Sequence, residues 1–148
     1  MAKRPTPNNV INGKWGRLTW NGKEVFEVIS VEAKIKPERS SLSFVQVLDK
    51  FEKLTGLVGE GNFKVYKVYS RGLKDVVEEW KKGKDPHFNL VIELTDPDAL
   101  GNETCIISDV WFNEVTIAGF DNEKYLEREF PFGFAPSSVE FEDMIDVE

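Results

Sequence analysis

Four features of this sequence have residue types or spacings that chemistry could use. His87 is the single histidine and follows Pro86. One imidazole cannot assemble a metal cluster with itself, so His87 reads as a structural or surface residue at a strand start. Cys105 is the single cysteine, and the sequence beside it offers no histidine or cation to lower its pKa. It reads as a small buried apolar group, and no internal disulfide can form. The acid pairs Glu78-Glu79 and Asp96/Asp98 are commonplace, and nothing singles them out as a general acid and base. The glycine run Gly56-x-x-Gly59-x-Gly61 has no Lys-Ser/Thr after it and opens no helix, so it is not a phosphate loop. No catalytic, metal or cofactor-binding residue is assigned, and the expectation is a protein that is not an enzyme and carries no cofactor.

The elements that would hold these residues fit one domain. A chain of 148 residues can bury roughly 70% of its unfolded surface. Its formal charge of −7, from 26 acids against 19 bases, argues against a nucleic-acid or anionic-membrane binder, which would show a basic face. No apolar run approaches the roughly 18 residues of a membrane span. The start, Met-Ala-Lys-Arg-Pro-Thr-Pro-Asn-Asn, lacks the apolar stretch of a signal peptide, so folding in a cytoplasm is expected.

A hairpin near the start organises the rest. Trp15 to Trp20 form a short arm, and Asn21-Gly22 is the pair a two-residue type I′ turn demands. In the second arm Val25, Ile29, Val31, Ala33 and Ile35 share one side, with Glu24, Ser30, Glu32, Lys34 and Lys36 opposite. Glu27 and Val28 break the alternation, which is open between a bulge and an intersubunit contact. Pro37 is expected to end the pairing, since it has no N–H to donate.

Residues 1–9 read as an arm, open between a frayed terminus and a segment that orders on a neighbour. Residues 38–58 fit neither the helical nor the strand period and read as a long loop. They carry Leu42, Phe44, Val45, Val47, Leu48, Phe51 and Leu57, too much apolar surface for a solvated linker. Two readings stay open: an intersubunit loop, or a short strand or amphipathic turn folded back on its own core. Gly61 opens a third strand to Tyr69, and Ser70 is a candidate N-cap for a helix over residues 72–82. Leu73, Val76, Val77 and Trp80 recur at helical spacing and should pack this helix on a sheet. A fourth strand covers residues 88–95. A β-rich run from Thr104 to Phe120 changes its apolar side near Asn113-Glu114, which is open between a bulge or bend and two strands in line. A last strand ends at Phe134, and residues 135–148 form an acidic tail. Six or more strands with one helix predict a mainly β fold, an antiparallel sandwich or barrel with a flanking helix.

Taken in order, Ile11 to Glu24, Gly61 to Arg71, Lys82 to Phe88, Asp109 to Phe112 with Ile117-Ala118, and Glu129 to Phe134 resemble phage tail-tube proteins. The similarity is to the contractile tails of Gram-positive prophages, defective prophages and phage-tail-like bacteriocins. It covers residues 10–134, the expected tube domain; residues 38–58 are more apolar than the family pattern, and the acidic tail has no match. The resemblance implies a hexameric ring whose subunits join their sheets into an inner β-barrel, stacked into a tube within a sheath. It implies that residues 38–58 reach the adjoining ring. The implied partners are further copies of the chain and the sheath, baseplate and tail-terminator proteins. Tape-measure protein and DNA would pass through the lumen without specific binding. Six copies at −7 each would make a ring that repels phosphate. The implied location is a virion tail or phage-like particle assembled in the bacterial cytoplasm. Readings of another class are a monomeric β-sandwich that binds sugar through exposed Trp15, Trp20 and Trp111, or an adaptor domain.

Overall fold

The computed structural model describes residues 4–147; residues 1–3 of the expected arm and residue 148 of the expected tail lie outside them. Eight strands and one helix follow one another: β1 Gly16–Trp20, β2 Lys23–Glu24, β3 Val28–Leu42, β4 Phe51–Tyr66, α1 Leu73–Lys81, β5 Phe88–Leu94, β6 Glu103–Phe112, β7 Glu127–Phe134 and β8 Val139–Asp143. All pairings are antiparallel, in the order β2-β1-β5-β6-β7-β4-β3, with β8 also on β6. The mainly β fold with a flanking helix is therefore present.

The sheet folds over on itself through β6. Most of that strand pairs with β5 and β8, while Trp111 and Phe112 at its end pair with Gly133 and Phe132 of β7. The two halves enclose Leu18, Trp20, Leu90 and Ile107 from one side and Phe63, Phe132 and Phe134 from the other. Trp20 joins them: its ring lies edge-on to Phe63, Phe88, Phe112 and Phe130 at centroid distances of 5.4–6.0 Å. Each fully buried side chain of this size contributes about 1.5–3 kcal/mol.

The first turn forms as its residues require, with Asn21 and Gly22 at φ of +49° and +81°. The hairpin is shorter than expected, however. Only Lys23 and Glu24 pair back on β1; the chain then turns at Phe26-Glu27 and crosses to the other half as β3. The break in alternation at Glu27 is this elbow, and it is held from within the subunit by Arg71.

Residues 38–58 are not a loop. They form the outer half of the β3/β4 ladder, whose pairing runs through Pro37↔Leu57 to Leu42↔Phe51, leaving residues 43–50 as the connection. Pro37 does not end the pairing because β3 is an edge strand, and a proline is tolerated where one side of the strand has no partner. The irregular sequence period reflects a register shift between Glu38 and Arg39, which swaps the faces. Beyond it, both faces are exposed, so no burial imposes an alternation.

Four further expectations need correction. The change of side in the Thr104–Phe120 run is a bulge at Asp109, at φ +53° opposite the Phe88/Leu90 register shift, and residues 113–126 leave the sheet. Gly61 lies inside β4 and does not open it. Gly72, not Ser70, precedes α1; the Ser70 hydroxyl instead accepts from Lys67 Nζ at 3.2 Å. The acidic tail is partly structured: Val139 and Phe141 stand opposite Ile107 and Cys105, so residues 139–143 extend the sheet as β8.

Candidate functional site

The outer half of the β3/β4 ladder is where this chain exposes the most apolar surface. It projects past the body, because β7 accompanies β4 only from Tyr66 to Gly59. Residues 36–58 thus continue as two strands with, among the described residues, no third strand and no helix against either face. Two strands alone bury too little to stand free in water, and such a ladder calls for a covering surface.

At the tip, Val47 N–H donates to the Phe44 carbonyl at 3.2 Å, and Gln46 takes a positive φ of +64°. The Phe44 and Phe51 rings meet edge-on at 5.8 Å. All seven apolar residues expected here are exposed: Leu42 in β3, Phe44, Val45, Val47 and Leu48 in the connection, and Phe51 and Leu57 in β4. Leu48 is fully exposed and Val45 is 91% exposed. Leu54, half-exposed in β4, adds apolar surface to the projecting ladder on the face opposite Phe51.

The inner half of the same ladder differs. Its outward face carries Glu32, Lys34, Lys36, Glu60, Lys64 and Glu129, linked as Lys34–Glu60 at 3.8 Å, Lys36–Glu60 at 2.8 Å and Lys64–Glu129 at 3.2 Å. The hydrogen bond from Lys36 holds the Glu60 carboxyl below its ordinary range. With Glu127 of β7 on the same face, four acids stand against three lysines, and most of these charges are paired. Gly61 and Gly59, whose spacing mimicked a phosphate loop, lie beneath the rings of Phe132 and Phe134. A Cβ on Gly59 would fall 2.6 Å from the Phe134 ring, and one on Gly61 would fall 2.7 Å from Phe132 Cε2.

Helix α1 turns Val76 into the core and lays Trp80 against it, while Leu73 and Val77 are half-buried. Trp80 Nε1–H donates to Asp85 Oδ1 at 3.2 Å. Leu73 lines a cavity of about 20 Å³ beside Glu27 and Arg71, room for about one water.

The groups that suggested chemistry stand apart. His87 Nε2 lies 3.5 Å from Asp85 Oδ2, its ring 5.7 Å from that of Trp111. Burial pushes the Cys105 thiol up, and Glu103 adds to this, the reverse of what a nucleophile needs. Asp96 is buried and accepts from the Asn12 N–H at 2.7 Å and the Asp98 N–H at 2.9 Å, fastening the segment before β1 to the β5–β6 turn. Asn9 Nδ2 also reaches the Asp98 carbonyl at 3.2 Å. The tryptophans do not make a sugar platform, since Trp20 is at the centre of the core and Trp111 is half-buried.

Comparison with known proteins agrees with this geometry. A family model described as "Phage tail tube protein" matches residues 4–143. The chain is 34% identical over 133 residues to the phage-like element PBSX protein XkdM of Bacillus subtilis (strain 168), covering 88% of this chain and 90% of that one. Among solved structures, the sheath–tube complex of an extracellular contractile injection system (PVC, extended state) superposes with a TM-score of 0.70 at 12% identity, over 90% of this chain and 92% of that one. The tail of an empty gene transfer agent particle, refined with C6 symmetry, gives 0.55 at 13% identity, over 89% and 98%. These two share the fold.

Proposed function

The chain belongs to the phage tail tube protein family, and on that premise we propose that its copies close into six-membered rings stacked as the tube of a contractile tail. It is a structural subunit, and its first partner is itself. The observation that carries the reading is the projecting end of the β3/β4 ladder, whose apolar residues stay exposed among the described residues of their own subunit. In a stack, Leu42, Phe44, Val45, Val47, Leu48, Phe51 and Leu57 are covered by the adjoining ring. The free edge of β3 takes a strand from the lateral neighbour, which also removes an edge prone to aggregation. The C6 symmetry of the gene transfer agent tail supports six copies.

In this arrangement residues 10–134 form the tube wall. The largely ion-paired face of β3, β4 and β7 is suited to line the lumen, because tape-measure protein or DNA would meet few unpaired charges there. Most of the chain's acid excess then lies elsewhere on its surface. A sheath surrounds the tube, as the sheath–tube neighbour suggests, with baseplate and terminator proteins at its ends. Assembly takes place in the host cytoplasm and the product is a virion or particle tail. Sedimentation across a concentration series tests the self-association: large species that grow with concentration are expected, and one small species at every concentration contradicts it.

A further inference from the structure

Two segments of opposite charge flank the β1-β5-β6-β8 half of the sheet. From Arg4 to Lys23 the chain holds Arg4, Lys14, Arg17 and Lys23 and no acid; from Ala135 to Val147 it holds Glu140, Glu142, Asp143 and Asp146 and no base. The first segment leads into β1, which pairs with β5, and the second forms β8, which pairs with β6. Three strand spacings separate them, roughly 14 Å at about 4.8 Å each. Both reach the same end of the sheet. Asn12 N–H donates to Asp96 and Asn9 Nδ2 to the Asp98 carbonyl, which fastens the basic segment to one side of the β5–β6 turn. On the other side of that turn Asp143 stands opposite Thr104, and Ile145 lies beside Gly101.

We propose that the two segments clasp neighbouring copies within a ring, the basic segment of one copy lying on the acidic β8 and tail of the next. The proposal rests on the tube reading above, in which β3, β4 and β7 line the lumen, so that the clasp closes the ring in its outer layer. Three observations select a second copy as the occupant. First, the charges are complementary and unused: Arg17 is held by Glu24 at 3.1 Å, but Arg4, Lys14, Glu140, Glu142 and Asp146 make no ion pair among the described residues. Second, the segments lie at one height on opposite flanks. Rotation about a ring axis carries one flank of a copy to the other flank of its neighbour without a change of height, as a heterologous contact that closes requires. Third, β8 has hydrogen-bonded strand neighbours on one edge alone among the described residues. Exposed apolar groups accompany the charges, Val10 and Trp15 on the basic segment and Phe141, Met144 and Val147 on the acidic one.

The test reverses the charges on full-length chains at exposed positions. One preparation carries Arg4→Glu with Lys14→Glu, a second Glu142→Lys with Asp146→Lys, and a third all four changes. Circular dichroism checks that each folds, and sedimentation across a concentration series reads where polymer appears. Each of the first two preparations alone should need roughly tenfold more protein to polymerise, because like charges then face each other. Mixing the two in equal amounts should restore assembly, since copies alternating around a six-membered ring then meet opposite charge at every contact; the fourfold variant should assemble as the unsubstituted protein does. Rescue in the fourfold variant without rescue in the mixture places the pairing inside one chain and overturns the clasp. An unchanged threshold in the first two preparations overturns it while leaving the tube reading intact, and leaves the acidic segment to another partner. Absence of polymer in the unsubstituted protein overturns the tube reading, and the clasp with it.

Discussion

Arg71 Nη2 lies 3.2 Å from Glu27 Oε2, across 44 residues of chain, and Arg71 Nε donates to the other oxygen of the same carboxylate. The pair ties the elbow that sends the chain from β2 into β3 to the segment that leads into α1. The carboxylate is almost buried, at 6% side-chain exposure, so its charge depends on this partner.

Burial pushes the Glu27 carboxyl up, but the Arg71 hydrogen bond, a backbone hydrogen bond at Glu27 and the guanidinium charge outweigh it. The net direction is down from 4.5. Because the folded value is the depressed one, the stabilisation is present above the unfolded value and is lost as pH falls through the folded one. Glu27→Gln should cost about 1–3 kcal/mol at neutral pH. Thermal melts of both proteins from neutral pH downward should show the gap narrowing below about pH 4.5; a gap constant to the acid limit would mean that the pair contributes nothing through its charge.

Gly61 is occupied overhead by the Phe132 ring and flanked by the Glu32 carbonyl. Gly61→Val should destabilise by about 1–3 kcal/mol through overpacking, despite valine's preference for strands. Urea unfolding that left the midpoint unchanged would show that the ring is not seated there.

Trp20 touches four aromatic rings and bridges the two halves of the folded sheet. Trp20→Ala should cost about 3–5 kcal/mol, whereas Trp15→Ala, at a half-exposed position, should stay within about 0.5 kcal/mol. Equal losses in denaturant melts would contradict this division of roles.

Phe44, Val45 and Val47 are exposed and contribute little to the subunit itself. Replacing all three by serine should leave the circular dichroism spectrum unchanged and abolish polymer. Tubes formed by the triple variant would refute the role given to the tip.

The sequence made the core half of this fold readable, because burial enforces alternation there. Leu90 and Ile92, or Phe130, Phe132 and Phe134, recur every second residue as a strand with one covered face must. The same rule explains why residues 38–58 carry no strand period. With both faces exposed and the register shifted at Glu38, nothing imposes a period, so strands resembled a loop. Their excess of uncovered Leu, Val and Phe still marked the surface that lacks a partner. The Glu27–Arg71 pair was not visible in the same way: Glu27 announced itself by interrupting an apolar face, but no local pattern connects it to a residue 44 positions away.

Self-assembly around a hollow axis is tested most directly by negative-stain electron microscopy of the purified protein, with class averages of end-on views. Six-membered rings with an open centre, and tubes built by stacking them, are the predicted result. A solitary compact particle in every field, even from the most concentrated preparation, would contradict it.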